Sequence, residues 1–357
     1  MRIGILLPSV FSIDNPGNGI AEQARQQAAA LERLGHTVVR LSPWQWQDEA
    51  NLDVLHMHLG GLMLHSVGHN RRLIKPGILA FTPHIDSNQS FVSYRLAAAL
   101  GSVSSRVTTV PGSLRDQAQC SDVVICRSVH EQQRVQQGLG ISSEKIDVVL
   151  NGCDLPVADF AEVERILRKL DLPERFLLHI GAYTQPRKNV LRLAEAARQL
   201  GYPLVIAGHA VAGVIQQQLE RDVSKTSNLR MLGYVDAATK TALYTACAVF
   251  CLPSTHEGTG LVALEAASHG ANVVITRNGG PPDYFGDHAE YVDPGSVQDI
   301  KGAIARAWQK PRNTALKQHV TNHLTWDHSA KRLEEVYTRF LQNKHSLPGV
   351  ASMTKAS

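Results

Sequence analysis

Cysteine is scarce and irregularly placed: there are five, at positions 120, 126, 153, 247 and 251, and no two stand in C-x-x-C spacing. An odd count without that spacing argues against a disulfide framework or a zinc site and for reduced thiols. Aromatic residues make up only 6% of the chain, and no run of five or more basic residues occurs. With no basic run and no interleaved aromatics, nucleic acid is not an expected partner. Long apolar runs are also missing. The stretch Ile3–Leu7 stops at Pro8, and no later segment reaches 18 consecutive apolar residues. That is too short for a signal core or a membrane span. The expectation is a soluble, cytoplasmic protein, with peripheral contact to the inner face of a membrane left open. The first glycine loop has Gly17 and Gly19 followed by Glu22, so G-x-G-x-x-G is not completed and a nicotinamide-type dinucleotide site is disfavoured.

What is present suits a two-domain α/β protein. The 357 residues are 43% hydrophobic and include 27 glycines, and the net charge of +4 fits an anionic ligand or an anionic membrane surface. RIGILLPSV, TVVRLSP, DVLHMHLG, ILAFTPH, DVVICRS and KIDVVLNG read as strands with helical patterns among them, IAEQARQQAAALERLGH being the longest. A second cycle alternates RFLLHIGAY, PLVIAG, NLRMLG, AVFCLPS, ANVVITR and AEYVD with helices. Strands alternating with helices imply parallel sheets, here two, joined by a proline-flanked linker near 155–172, with a cleft between the two domains. The last helical pattern is HSAKRLEEVYTRFLQ, and the polar tail from Asn343 reads as disordered.

The segment FCLPSTHEGTGLVALEAASHG carries the chemistry. A buried strand ends at Pro253, a loop with Gly258 and Gly260 follows, and a helix starts at Leu261. Free backbone N–H groups and the positive end of a helix attract an anion, and glycines let a phosphate come close. Glu257 in the loop and Glu265 in the helix are repelled by a diphosphate unless they take hydrogen bonds from hydroxyls. Hydroxyls flanking a diphosphate describe a nucleotide sugar. Arg187 and Lys188, at another loop–helix junction, supply positive charge, which opposes the local helix dipole unless a ligand uses it.

PSTHEGTGLVALEA resembles the E-x7-E signature of retaining GT-B glycosyltransferases, especially glycosyltransferase family 4, and GANVVITRNGGPPD resembles the segment that follows it there. In chain order, the Gly17–Gly19 loop, DVLHMH, FTPHID, VVLNGCDL, HIGAYTQPRKNVLRLAEAA, NLRMLGYVDAATKTALYTACAVF and LTWDHSAKRLEEVY resemble further family segments. The resemblance covers most of residues 1–340, and its specific part is 176–285. It implies an acceptor domain at 1–155, a donor domain at 172–325, a helix at 326–342 that returns to the first domain, and a flexible tail at 343–357. It also implies transfer of a hexosyl group from a UDP- or GDP-sugar to a hydroxyl of a glycan, lipid-linked or small-molecule acceptor, with retention. The implied catalytic residues are Glu257, His84, Lys188 and Arg187, and the implied substrate-binding residues are Gly17, Gly19, Gly258, Thr259, Gly260, Leu261 and Glu265. In the family's terms Glu257 holds sugar hydroxyls, Glu265 the ribose, Arg187 and Lys188 the diphosphate, and His84 the reaction centre.

No D-x-D occurs, so no metal and no cofactor beyond the donor is expected. Ala182 stands where many relatives carry Arg, Thr259 replaces the usual Phe, Val262 the usual Pro and Asp283 the usual Glu. These departures keep open a catalytically silent binding protein, beside a nucleotide-sugar epimerase or a phosphorylase of the same architecture. For membrane contact, HNRRLIKPGIL at 69–79 combines Arg71, Arg72 and Lys75 with Leu73, Ile74, Ile78 and Leu79.

Overall fold

The computed structural model describes residues 1–8, 19–41, 51–59, 77–87, 89–103, 109–155, 159–225 and 228–346. Gly17 and residues 69–76 lie outside them. The chain divides into two compact units, Met1–Asn151 with Trp326–Ser357, and Gly152–Thr325.

The first unit begins with β1 (Arg2–Leu6), α1 (Gly19–Arg33), β2 (Thr37–Leu41), β3 (Val54–His58) and β4 (Ile78–Thr82). It continues with α2 (Phe91–Val103), α3 (Val110–Cys120), β5 (Val123–Cys126), α4 (Val129–Gln133) and β6 (Ile146–Val148). Its six strands pair in parallel in the order β2-β1-β3-β4-β5-β6. Strands covered on both faces cannot show apolar–polar alternation, and every residue of β3 and β4 is accordingly buried. Ile78 and Leu79 sit in that core. They are therefore not part of the apolar surface expected over 69–79.

The second unit holds α5 (Phe160–Leu170), β7 (Leu177–Ile180), α6 (Val190–Leu200), β8 (Leu204–Ala207), α7 (Val214–Lys225), β9 (Leu229–Gly233) and α8 (Ala237–Ala246). After these come β10 (Val249–Leu252), α9 (Leu261–Ser268), β11 (Asn272–Thr276), α10 (Pro281–Phe285), β12 (Glu290–Val292), α11 (Val297–Gln309) and α12 (Thr314–His323). Its six strands are again parallel, in the order β12-β11-β10-β7-β8-β9. The stretch read as a linker contains α5. Asp159 accepts from the N–H groups of Ala161 and Glu162, which satisfies the start of that helix. Pro173 lies beyond the end of that helix and does not break it.

The chain returns to the first unit as α13 (Trp326–His345). There Arg332 and Arg339 pair with Asp147, Arg33 pairs with Asp327, and Tyr337 is fully buried. This helix passes Asn343, where the sequence pattern suggests a tail, because no helix breaker occurs before Pro348.

In each sheet the strand order reverses once, beside β1 in the first and beside β7 in the second. Open parallel sheets bind ligands outside the carboxyl ends of their strands at such a reversal.

Candidate functional site

At the reversal of the second sheet, the loop after β7 and the loop after β10 are tied together. Pro186–Lys188 form one 3-10 turn, after which Asn189 takes a left-handed conformation and opens α6. The Asn189 amide donates to the carbonyls of Pro253 and Pro294, at 2.9 and 2.8 Å. Thr255 N–H donates to the Arg187 carbonyl at 2.8 Å. The turn thereby presents Arg187 and Lys188 to the glutamate loop.

Lys188 is buried, and its Nζ donates to Glu257 Oε1 at 2.7 Å. Arg187 Nη1 lies 3.4 Å from the same oxygen and 3.4 Å from the His256 carbonyl. Burial pushes the Glu257 carboxyl up, but the Lys188 ammonium and then the Arg187 guanidinium outweigh it and hold the carboxyl below its ordinary value. Glu257 stays ionised beside two cations, so one positive charge is left to meet an anion.

The backbone around Glu257 is fixed as tightly. Its N–H donates to the Asn278 carbonyl at 3.1 Å, and its own carbonyl accepts from Gly280 at 3.0 Å. Gly279, at φ +106°, packs against it so closely that a Cβ there would lie 2.0 Å from the Glu257 carbonyl oxygen. Gly260 caps α9 from φ +80°, a conformation that suits glycine. It brings no side chain to the first N–H groups of the helix, so that positive end is left for a ligand. Gly258 is buried in the same loop, and Leu261 is the first residue of the helix. Thr259 is buried, its hydroxyl 3.4 Å from the Tyr284 hydroxyl.

Glu265 stands in a separate polar cluster. It accepts from the Tyr244 hydroxyl and from Lys240 Nζ, both at 2.9 Å. Burial, and next the carboxylate itself, push the Tyr244 phenol well above its ordinary value, so it remains a donor. Among the described residues, neither a hydrogen bond nor an ion pair joins Glu265 to Glu257. A groove of about 420 Å³ elsewhere in this unit is lined by Leu191, Tyr202, Val214 and Leu229 among others, and contains none of the candidate residues.

At the first sheet, His58 ends β3, His56 lies two residues earlier in the same strand, and His84 follows β4. His84 is buried with φ +54°, an uncommon conformation for a non-glycine residue. Its Nε2 is 3.4 Å from His58 Nδ1. The His56 and His58 rings lie 4.1 Å apart, and His56 takes the Thr82 and Tyr337 hydroxyls on its two nitrogens at 2.9 and 2.7 Å. Burial, with the Arg127 charge second, lowers the pKa of His58 to about 3 and that of His84 well below its ordinary value. Burial and then His58 lower that of His56.

The turn carrying His84 is clamped. Ile85 N–H donates to Glu131 Oε1 at 2.6 Å, and Arg127 donates to both oxygens of Glu131 and to Asp86 Oδ1 at 2.9 Å. Burial disfavours the Arg127 charge, but Glu131 and Asp86 outweigh burial and raise its pKa. Sequence reasoning missed this clamp because its partners are scattered along the chain. Gly19 is the first residue of α1, and outside the adjacent chain no described residue comes within 4 Å of where its Cβ would be.

Comparison with known proteins gives this arrangement a context. Residues 162–322 match the family model described as glycosyl transferases group 1. The chain is 28% identical over 246 residues to the serotype-specific mannosyltransferase WbdA of Escherichia coli, a stretch that is 62% of this chain and 29% of that protein. It is 34% identical over 158 residues to O-antigen chain mannosyltransferase B of Escherichia coli, covering 42% of this chain and 41% of that protein. The chain therefore spans under half the length of these relatives. Among solved structures, sucrose-phosphate synthase from Thermosynechococcus elongatus superposes with a TM-score of 0.73 at 18% identity, covering 96% of this chain and 99% of that one. HepE of Anabaena in complex with UDP superposes with a TM-score of 0.70 at 18% identity, covering 95% and 100%. Two six-stranded parallel sheets and these neighbours give the fold as GT-B.

Proposed function

We propose that the protein is a retaining glycosyltransferase that moves a hexosyl group from a UDP- or GDP-sugar to a hydroxyl of a glycan, lipid-linked or small-molecule acceptor. The observation that carries this is the buried Lys188–Glu257 pair with Arg187 beside it, at the reversal of the second sheet. The names of the relatives, two of them mannosyltransferases and one bound to UDP, support the same class of donor.

In this mechanism Arg187, Lys188 and the start of α9 neutralise the nucleoside diphosphate as it departs. Fixed positive charge aimed at developing negative charge is the largest single contribution in such transfers. Glu257 turns from Lys188 to the sugar hydroxyls and steadies the positive character that grows at the anomeric carbon. Glu265 takes the ribose, exchanging its bonds to Lys240 and Tyr244 for bonds to hydroxyls. His84, kept neutral by burial, accepts or donates one hydrogen bond at the reaction centre without adding charge. Retention follows from the family resemblance, with the departing phosphate oxygen helping to deprotonate the acceptor.

Nucleotide released from a panel of UDP- and GDP-sugars, with and without added glycan, tests the proposal. Acceptor-dependent release is expected. Tight donor binding with no release under any condition favours a silent binding protein, and interconversion of the sugar without transfer favours an epimerase. Peripheral membrane contact is proposed with the lipid-linked acceptor. Flotation with anionic liposomes tests it, and a protein left wholly at the bottom of the gradient removes it.

A further inference from the structure

His179 has no role in the site as described. It lies on β7 with a fully buried side chain, and its Nδ1 is 2.8 Å from the Cys251 carbonyl oxygen on β10. A carbonyl only accepts, so Nδ1 carries the proton and Nε2 presents a bare lone pair. That Nε2 is sealed from solvent and has no hydrogen-bond partner among the described residues. Burial, first, and also the Lys188 charge hold the imidazole down at about 4, against the opposing pulls of the Cys251 carbonyl and of Glu257.

An acceptor buried without a partner costs folding free energy, so its surroundings identify what uses it. Gly181 lies beside both groups. A Cβ placed there would lie 3.7 Å from His179 Nε2 and 3.9 Å from Lys188 Cε, with no other described atom within 4 Å outside the adjacent chain. The lone pair and the lysine stem thus flank one small space left by a missing side chain. The Lys188 ammonium has three protons and gives one of them to Glu257.

We infer that His179 is a positioning residue for Lys188: its Nε2 receives the ammonium when a bound diphosphate draws it from Glu257, and holds it toward that diphosphate. The inference rests on the donor reading of this site. A neutral acceptor suits the task, because it orients the ammonium without cancelling the charge the diphosphate needs. A carboxylate in its place would cancel it, as Glu257 does where Lys188 meets it.

Calorimetric titration of the full chain with UDP, GDP and ADP tests this in the wild type, His179→Phe, Lys188→Met and the double variant. His179→Phe keeps a ring and loses the acceptor, and is expected to weaken nucleoside diphosphate binding about tenfold, the loss of one hydrogen bond to a charged group. In the Lys188→Met background the same change is expected to have no further effect, the mark of two residues acting through one contact. His179→Gln returns a neutral acceptor and is expected to restore most of the affinity. If His179→Phe does not fold, His179→Leu is measured in its place. Unchanged binding in the His179 variant, or losses that multiply in the double variant, overturns this inference and leaves the donor site standing. A wild type that binds none of the three nucleotides overturns both.

Discussion

In β3 and just beyond β4 the first unit gathers His56, His58 and His84, all neutral, with the guanidinium of Arg127 paired to two carboxylates, Glu131 and Asp86. Beyond β7 and β10 the second unit gathers two cations, Arg187 and Lys188, around one carboxylate, Glu257. Both clusters lie near the carboxyl ends of parallel strands: among the described residues, two cations meet one carboxylate in the second, while neutral imidazoles lie beside an ion-paired guanidinium in the first. Where positive charge is in surplus, an anion is welcome. Where the imidazoles are neutral, the side chains offer hydrogen bonds without added charge. One topology used twice has acquired two chemistries through a few side chains at the strand ends.

Four measurements break or sharpen that contrast. The largest effect is expected in the second unit. Lys188→Met should lower turnover by about 100- to 1,000-fold, the scale of removing one fixed charge from a reaction centre, with the circular dichroism unchanged. Turnover near the wild-type rate would remove Lys188 from the site. Next, Arg127→Met in the first unit should cost about 3–5 kcal/mol in denaturant unfolding, because Glu131 keeps its backbone donors but is left buried without its counter-charge. A loss under about 1 kcal/mol would mean that solvent, and not Arg127, satisfies Glu131.

The third measurement is pH dependence. The folded pKa values of His56, His58 and His84 lie below the ordinary 6.5, so the unfolded chain binds protons that the folded chain refuses. Their contribution to stability is therefore complete above about pH 6.5 and falls as pH drops toward their folded values, with a limiting slope of roughly 1.4 kcal/mol per pH unit for each histidine. His179 and His269, each held near 4 chiefly by burial, add to this window from the second unit. Glu257 enters only lower, as pH falls below its ordinary 4.5. His58→Asn should thus flatten the stability profile between pH 6.5 and 4 and leave it unchanged above 7.5, and an equally steep profile would show that His58 is already protonated in the fold. The smallest effect is expected for Tyr337→Phe, which removes one hydrogen bond to His56 and should cost about 1 kcal/mol. No measurable loss would mean that the bond contributes nothing net.

All twelve strands among the described residues were legible in the sequence, because buried parallel strands read as short apolar runs bounded by turn-forming residues. The helix at 160–170 was not, since two nearby prolines disguised an amphipathic segment whose start is set by Asp159. Glu257, Lys188 and Arg187 were legible from type and spacing, and the structure brings those three together. Glu265 was named, but its bonds to Tyr244 and Lys240 were not foreseen, and nothing in a linear pattern pairs those residues. His179 was passed over as part of a strand. Its bond to Cys251, 72 positions away, exists only because β7 and β10 are neighbours in the sheet. Local pattern reveals elements and charge types, while which charge meets which depends on strand order.

The central claim is that the surplus positive charge of the second unit holds a nucleoside diphosphate. Titration of UDP and GDP into the wild type and Glu257→Gln tests it most directly. At least one nucleotide should bind the wild type, and Glu257→Gln, which frees Lys188 from its carboxylate, should bind that nucleotide more tightly while losing transfer. Weaker nucleotide binding in Glu257→Gln than in the wild type would contradict the account.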